Sequence, residues 1–186
     1  MTNLSQGMGK DTAQYKQAMY LAKQVKDILP ADAVIVGHSL GGGLGSAGVG
    51  ASGLKGYTFN AAGLHENRVS RFGGLAMEKI NPLIKTQAVD GEILTMVQTY
   101  GKAALPGLLS GAGALVGGGV GAAIGGITGV ATLLSGALPK AAGNMMPLPA
   151  SGGSPLARHG MDQVIAGIES QKKDDIGSIT KTLKGA

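Results

Sequence analysis

The chain has 186 residues, a formal net charge of +5 and no cysteine, a length that suits one domain with a core of useful size. Hydrophobic residues make up 44% but aromatic ones 3%, and the lysines are scattered, which argues against stacking platforms or a basic stripe for nucleic acid. The missing cysteines exclude a disulfide framework, a thiol nucleophile and a cysteine-ligated zinc, and three isolated histidines show no metal-ligand spacing.

The N-terminal MTNLSQGMGKDTAQ lacks the basic region and apolar run of a signal peptide. Synthesis in the cytoplasm is expected, followed either by secretion through a non-classical bacterial route or by association with a membrane. Asp11 to Leu29 reads as a helix, because Tyr15, Ala18, Ala22, Val25 and Leu29 recur at helical spacing with lysines opposite. Pro30 and Asp32 stop it. Ala33 to Val36 is a short β-branched run without alternation, as a strand covered on both faces would be. Small residues follow in GGGLGSAGVGASG, so the next helix can pack very close to the sheet. Further strands are expected at Gly56–Asn60 and Lys85–Val89. Strand and helix alternate, which predicts a parallel α/β sheet.

No charged residue lies between Lys102 and Lys140, and Gly113, Gly117, Gly121, Gly125 and Gly129 recur at every fourth position. That spacing forms a glycine zipper on one helical stripe, long enough to span a bilayer. A soluble lid or linker is the alternative, favoured by glycine's helix penalty of about 1 kcal/mol per residue. Ala141 to Pro155 reads as a loop, and His159 to Gln171 returns to helical periodicity through Met161, Val164, Ile165 and Ile168.

Gly37 to Gly41, GHSLG, fits the strand, sharp turn and helix of a nucleophile elbow, in which glycines on either side of the serine let the turn close. The serine then sits at the positive end of a helix, where developing negative charge is stabilised. The amide of Leu40 is one oxyanion donor by the rule that the residue after the nucleophile supplies it. No dinucleotide or phosphate-loop motif is present, so no cofactor is expected.

GHSLGGG resembles the elbow of α/β-hydrolase lipases, specifically the class-three lipase-like group, and GYTFNAAGLH and RHGMDQVIAGIE strengthen the likeness. Some members of that group are phospholipase effectors delivered by bacterial secretion machines. The resemblance implies lipid-ester hydrolysis through a serine, a histidine and an acid. It assigns Ser39 as nucleophile and His159 as base. In VDGEILT, Glu92 matches the acid position better than Asp90, although Asp90 falls at the predicted strand end; both stay in view. His38 is expected to pack beneath the turn, and His65 comes too early in the chain order serine, acid, histidine.

The resemblance implies a partial α/β-hydrolase sheet with an inserted glycine-rich, mainly helical apolar segment. Residues 1–102 would form the lipase-like core, 103–155 the insertion, lid or membrane segment, and 156–186 the histidine-bearing helix region. About thirty residues precede the elbow strand, too few for the strands such a domain places there, and one of their loops normally carries the second oxyanion donor. A partner chain or a second copy would complete the sheet. The expected partners are a lipid or ester substrate and a membrane surface, with no nucleic acid. The rival reading is a non-catalytic, membrane-interacting toxin-like protein that works through its glycine zipper.

Overall fold

The computed structural model describes residues 13–29, 32–65, 69–100 and 139–184. The glycine zipper and nearly all of the uncharged stretch around it lie outside the described residues. Helix α1 (Ala13–Ile28) leads to strand β1 (Val34–His38), helix α2 (Leu40–Ser52) and strand β2 (Lys55–Phe59). Helix α3 (Met77–Ile80), a 3-10 turn, strand β3 (Ile84–Val89) and helix α4 (Ile93–Tyr100) follow. The chain continues through strand β4 (Asn144–Leu148) to helix α5 (Met161–Lys184).

The four strands form one parallel sheet in the order β1-β2-β3-β4. Val36 pairs with Tyr57, Tyr57 with Lys85 and Lys85 with Asn144. The fold is therefore a partial α/β architecture, a parallel sheet flanked by helices. Strand β4 occupies sequence read above as loop. It lies last in the sheet order, where Pro147 removes one donor at little cost to the ladder, and its exposed Met145 and Met146 give no alternating pattern.

Small residues govern the packing. Tyr15, Met19 and Ala22 of α1 are buried, one stripe at helical spacing, and they face α2. A Cβ on Gly48 of α2 would meet Ala22 Cβ at 3.1 Å and Ile35 Cδ1 at 3.3 Å, so α2 lies wedged between α1 and the sheet. Val49, Ile80, Ile84 and Leu64 complete this core. Within it the Thr58 and Thr86 hydroxyls share a hydrogen bond of 2.9 Å, and Thr86 also donates to the Ala142 carbonyl.

A second, smaller cluster joins Val89 and Leu148 to Val164 of α5. Gly167 makes the approach close, since a Cβ there would stand 2.9 Å from Leu148 Cβ. Past this contact α5 runs on as an exposed helix to Lys184, beyond the Gln171 at which the sequence reading ended it, with Ile176, Ile179 and Leu183 at helical spacing and exposed.

The two stretches that flank residues 101–138 are tied together beside β2. Gln98 Nε2 donates to the Ala61 carbonyl at 2.9 Å, and the Ala141 amide donates to Gln98 Oε1 at 3.2 Å. Leu64 N–H donates to the Lys140 carbonyl at 3.0 Å. Gly63 lies so close to the Pro139 carbonyl that no side chain fits there.

Because Leu148 is fully buried between the sheet and α5, Leu148→Ala is expected to cost about 2–5 kcal/mol, read as a lowered urea midpoint with an unchanged slope.

Candidate active site

Each strand of the parallel sheet delivers its C-terminal end to the same edge, where the connecting loops meet. Strand β1 ends at His38, and the chain turns at once through Ser39 into α2. Ser39 has φ 56 and ψ −124, a positive-φ conformation that is uncommon for a side chain other than glycine. Its amide donates to the Phe59 carbonyl at 3.1 Å, and its carbonyl accepts from Gly42, Gly43 and Ala62. These bonds hold the turn in place.

The steric need for glycine falls partly where the motif suggested. A Cβ on Gly37 would collide with the Gly41 main chain, so the crossing of strand and helix requires glycine there. Gly41 itself faces open space. Gly42 is the second constrained position, because a Cβ would come within 2.6 Å of Ala61 Cβ. The close approach is made by the β2 exit loop, which the elbow motif alone does not reveal.

Ser39 Oγ lies 2.8 Å from His159 Nε2, and His159 Nδ1 lies 2.7 Å from Glu92 Oε2. A carboxylate can only accept, so Nδ1 carries the proton and Nε2 is left to accept from the serine hydroxyl. Glu92 is fully buried, while His159 keeps 20% of its side-chain surface exposed. The Leu94 amide donates to Glu92 Oε2 at 2.9 Å and the Thr95 amide donates to Oε1. The carboxylate thus caps α4 and meets the positive end of its dipole.

Burial alone would push the Glu92 carboxyl up. The hydrogen bonds from His159 and Thr95, the attraction of His159 and the Leu94 amide outweigh burial and hold it below its ordinary value. Asp90 contributes differently. Among the described residues it takes part through its main chain, donating to the Leu148 carbonyl and accepting from Arg158 Nη1. Glu92, two residues on and one methylene longer, both caps α4 and reaches His159.

His38 does more than fill space under the turn. Its Nε2–H donates to the His159 carbonyl at 2.8 Å, and the two rings lie 5.0 Å apart. Burial lowers its pKa, and the nearby His159 adds to that, against the opposing pull of the carbonyl hydrogen bond and Glu92. Asn60, which the sequence reading placed at the end of a strand and gave no role, donates through Nδ2 to the carbonyls of Arg158 and His159. His65 follows Leu64 on the loop leaving this region. The Leu40 amide opens α2 directly beside Ser39, among the first N–H groups that a helix leaves without an internal acceptor. Among the described residues no group of three or more His, Cys, Asp or Glu could hold a metal ion.

The depressed Glu92 pKa carries a stability consequence. Its folded value lies below 4.5, so the ionised carboxylate stabilises the fold above the unfolded pKa, and that contribution is lost as pH falls through the folded value. Glu92→Gln is expected to lower stability at neutral pH by about 1.5–3 kcal/mol, the range for a hydrogen bond to a charged group. It should also flatten the acid limb of a stability–pH curve measured by urea unfolding.

The family described as "Phospholipase-like: Tle-like phospholipase domain" matches residues 1–151. The "Extracellular phospholipase A1" of Serratia liquefaciens is 42% identical over 73 residues, which is 39% of this chain and 23% of that protein. The matched region thus spans about a quarter of that relative's length. With the family match running through the elbow, the β2 exit loop, Glu92 and β4, the chain belongs to the Tle-like phospholipase domain family.

Proposed function

We propose that this chain hydrolyses a carboxylic ester of a phospholipid through Ser39, His159 and Glu92. The observation that carries the reading is the hydrogen-bonded series Ser39 Oγ, His159 Nε2, His159 Nδ1 and Glu92 Oε2, with distances of 2.8 and 2.7 Å. Family membership gives the substrate class, and the name of the Serratia relative makes A1-type cleavage the first to assay.

In this reading His159 Nε2 accepts the Ser39 proton as Oγ attacks the ester carbonyl carbon. The Leu40 amide donates to the oxyanion that forms, at the positive end of α2. His159 then gives the proton to the departing lysophospholipid oxygen, and the acyl group remains on Ser39. A water molecule, deprotonated by the same nitrogen, attacks the acyl-enzyme and releases the fatty acid. Glu92 keeps Nδ1 protonated and stabilises the imidazolium in both halves of the cycle. The His159 hydrogen bond and two amide donors outweigh its burial and keep it ionised for that task.

The site suits a lipid reached at an interface. Among the described residues no helix is long and apolar enough to cross a membrane, and the zipper lies outside them. The Serratia relative is named as an extracellular enzyme. We place this chain's substrate in the surface of a membrane or micelle.

The test is labelling of the purified chain by a fluorophosphonate, followed by intact mass, beside release of fatty acid from phosphatidylcholine vesicles. Ser39→Ala is expected to abolish both, and His159→Ala or Glu92→Gln to lower hydrolysis by roughly 10³- to 10⁴-fold. Hydrolysis that survives Ser39→Ala at the wild-type rate would overturn the reading.

A further inference from the structure

Asn60 is fully buried and adopts φ 43, a left-handed conformation in which asparagine is favoured among non-glycine residues. A turn alone would explain the backbone. It does not explain the side chain, which points inward and is fully used. Asn60 Oδ1 accepts from the Val89 amide at 2.9 Å, at the end of β3 and three residues before Glu92. Asn60 Nδ2 donates to the Arg158 carbonyl at 3.2 Å and to the His159 carbonyl at 3.1 Å. The orientation of the amide follows from its partners, since an N–H needs an oxygen and two carbonyls need a donor. Its main-chain amide donates to the Gln87 carbonyl.

The same loop reaches the nucleophile from the other side. Phe59 O accepts the Ser39 amide, and the Ala62 amide donates to Ser39 O. A single short stretch, 59–62, therefore touches the strand that leads to the acid, the turn that carries the base and the elbow that carries the serine. We infer that Asn60 is a positioning residue, whose side-chain amide sets His159 against Glu92 and Ser39 by binding the main chain on either side of the gap. The inference rests on the proposed roles of those three residues. His38 donates to the same His159 carbonyl, so removing Asn60 loosens the base rather than releasing it.

The chemistry of the amide cannot be replaced by an isosteric acid. A carboxylate still accepts from Val89, but it turns its second oxygen, an acceptor, toward the carbonyls of Arg158 and His159, where a donor is required. Protonation of that carboxyl would restore one O–H donor. Burial raises the pKa of such a group, so recovery is expected within an accessible pH range.

The test compares wild type with Asn60→Asp in the full chain, using fluorophosphonate labelling and phosphatidylcholine in mixed micelles. Asn60→Asp is expected to lower kcat by roughly 10- to 100-fold, the scale of a misplaced reacting group, with KM within twofold and an unchanged circular dichroism spectrum. The ratio of variant to wild-type kcat should rise as pH falls. His38, Glu92 and His159 are the titratable groups that face this position in both proteins, and the new carboxyl is the one group that differs. A wild-type rate at every pH, or a deficit that is the same at every pH, overturns the inference. Asn60→Gly, which tolerates φ 43, is the second variant should the acid hinder folding; the same loss in kcat is expected, and a wild-type kcat overturns the proposal.

A measurement independent of turnover separates this inference from the triad reading. In the proton spectrum the His159 Nδ1–H is expected as a downfield line, assigned by its loss in His159→Ala. Asn60→Asp should shift or broaden it, and an unaltered line counts against the role. If Ser39→Ala hydrolyses as fast as wild type while Asn60→Asp still alters that line, the triad reading has failed and the positioning role stands.

Discussion

A serine at φ 56 and ψ −124 sits in backbone territory that costs on the order of 1–3 kcal/mol and persists where the surroundings over-determine it. Here the over-determination is visible. The strand behind Ser39 reaches the helix ahead of it across Gly37, with no room for a side chain. The carbonyl of Ser39 receives three amides and its own amide is taken by Phe59. Remove the glycine contacts and α2 must tilt off the sheet, which would take the serine away from His159. The small-residue composition of α2 follows from the same demand, since Gly45 and Gly48 let it lie against Ile35.

The parallel register turns that local strain into a site. All strands run the same way, so their exits cluster, and each exit supplies a different chemical element. Strand β1 leads to the strained serine, β2 to the asparagine that ties the loops together, and β3 to the buried carboxylate. After β4 the chain turns toward α5 through the histidine. None of these segments is held by bulk packing alone. The polar cross-links run between main-chain and side-chain groups in a buried setting, where a lost partner leaves an unsatisfied group. Such a network is stiff because each member has little alternative.

The sequence was legible where a side chain or its absence carries a local signal. Helix α1 could be read from Tyr15 and Ala22, strands β1 and β2 from short apolar or aromatic runs, and β3 from its place before the acidic turn at Asp90. Strand β4 was not, because Met145, Met146 and Pro147 carry no period and its pairing with β3 is a tertiary fact. The extent of α5 past Gln171 was signalled by Ile176, Ile179 and Leu183 at helical spacing, a stripe the reading passed over and the structure leaves exposed. At the site, the serine and its glycines stood out, and VDGEILT left two acids in view. The structure separates those acids by reach, since Glu92 caps α4 while extending to His159, and Asp90 serves through its main chain. Asn60 and His38 stayed obscure because their partners lie about a hundred residues away. No window of sequence contains that pairing.

Gln98, Gly63 and the main chain of Lys140 and Ala141 pin both flanks of residues 101–138 against the exit loop of β2. The chain leaves and re-enters the described fold at these hydrogen bonds. A stretch rooted in this way can change length at a closure cost that grows slowly, about 0.6 kcal/mol per doubling. Between two ends fixed in this way, a change of length is a matter of chain entropy and leaves the anchoring contacts themselves as they are.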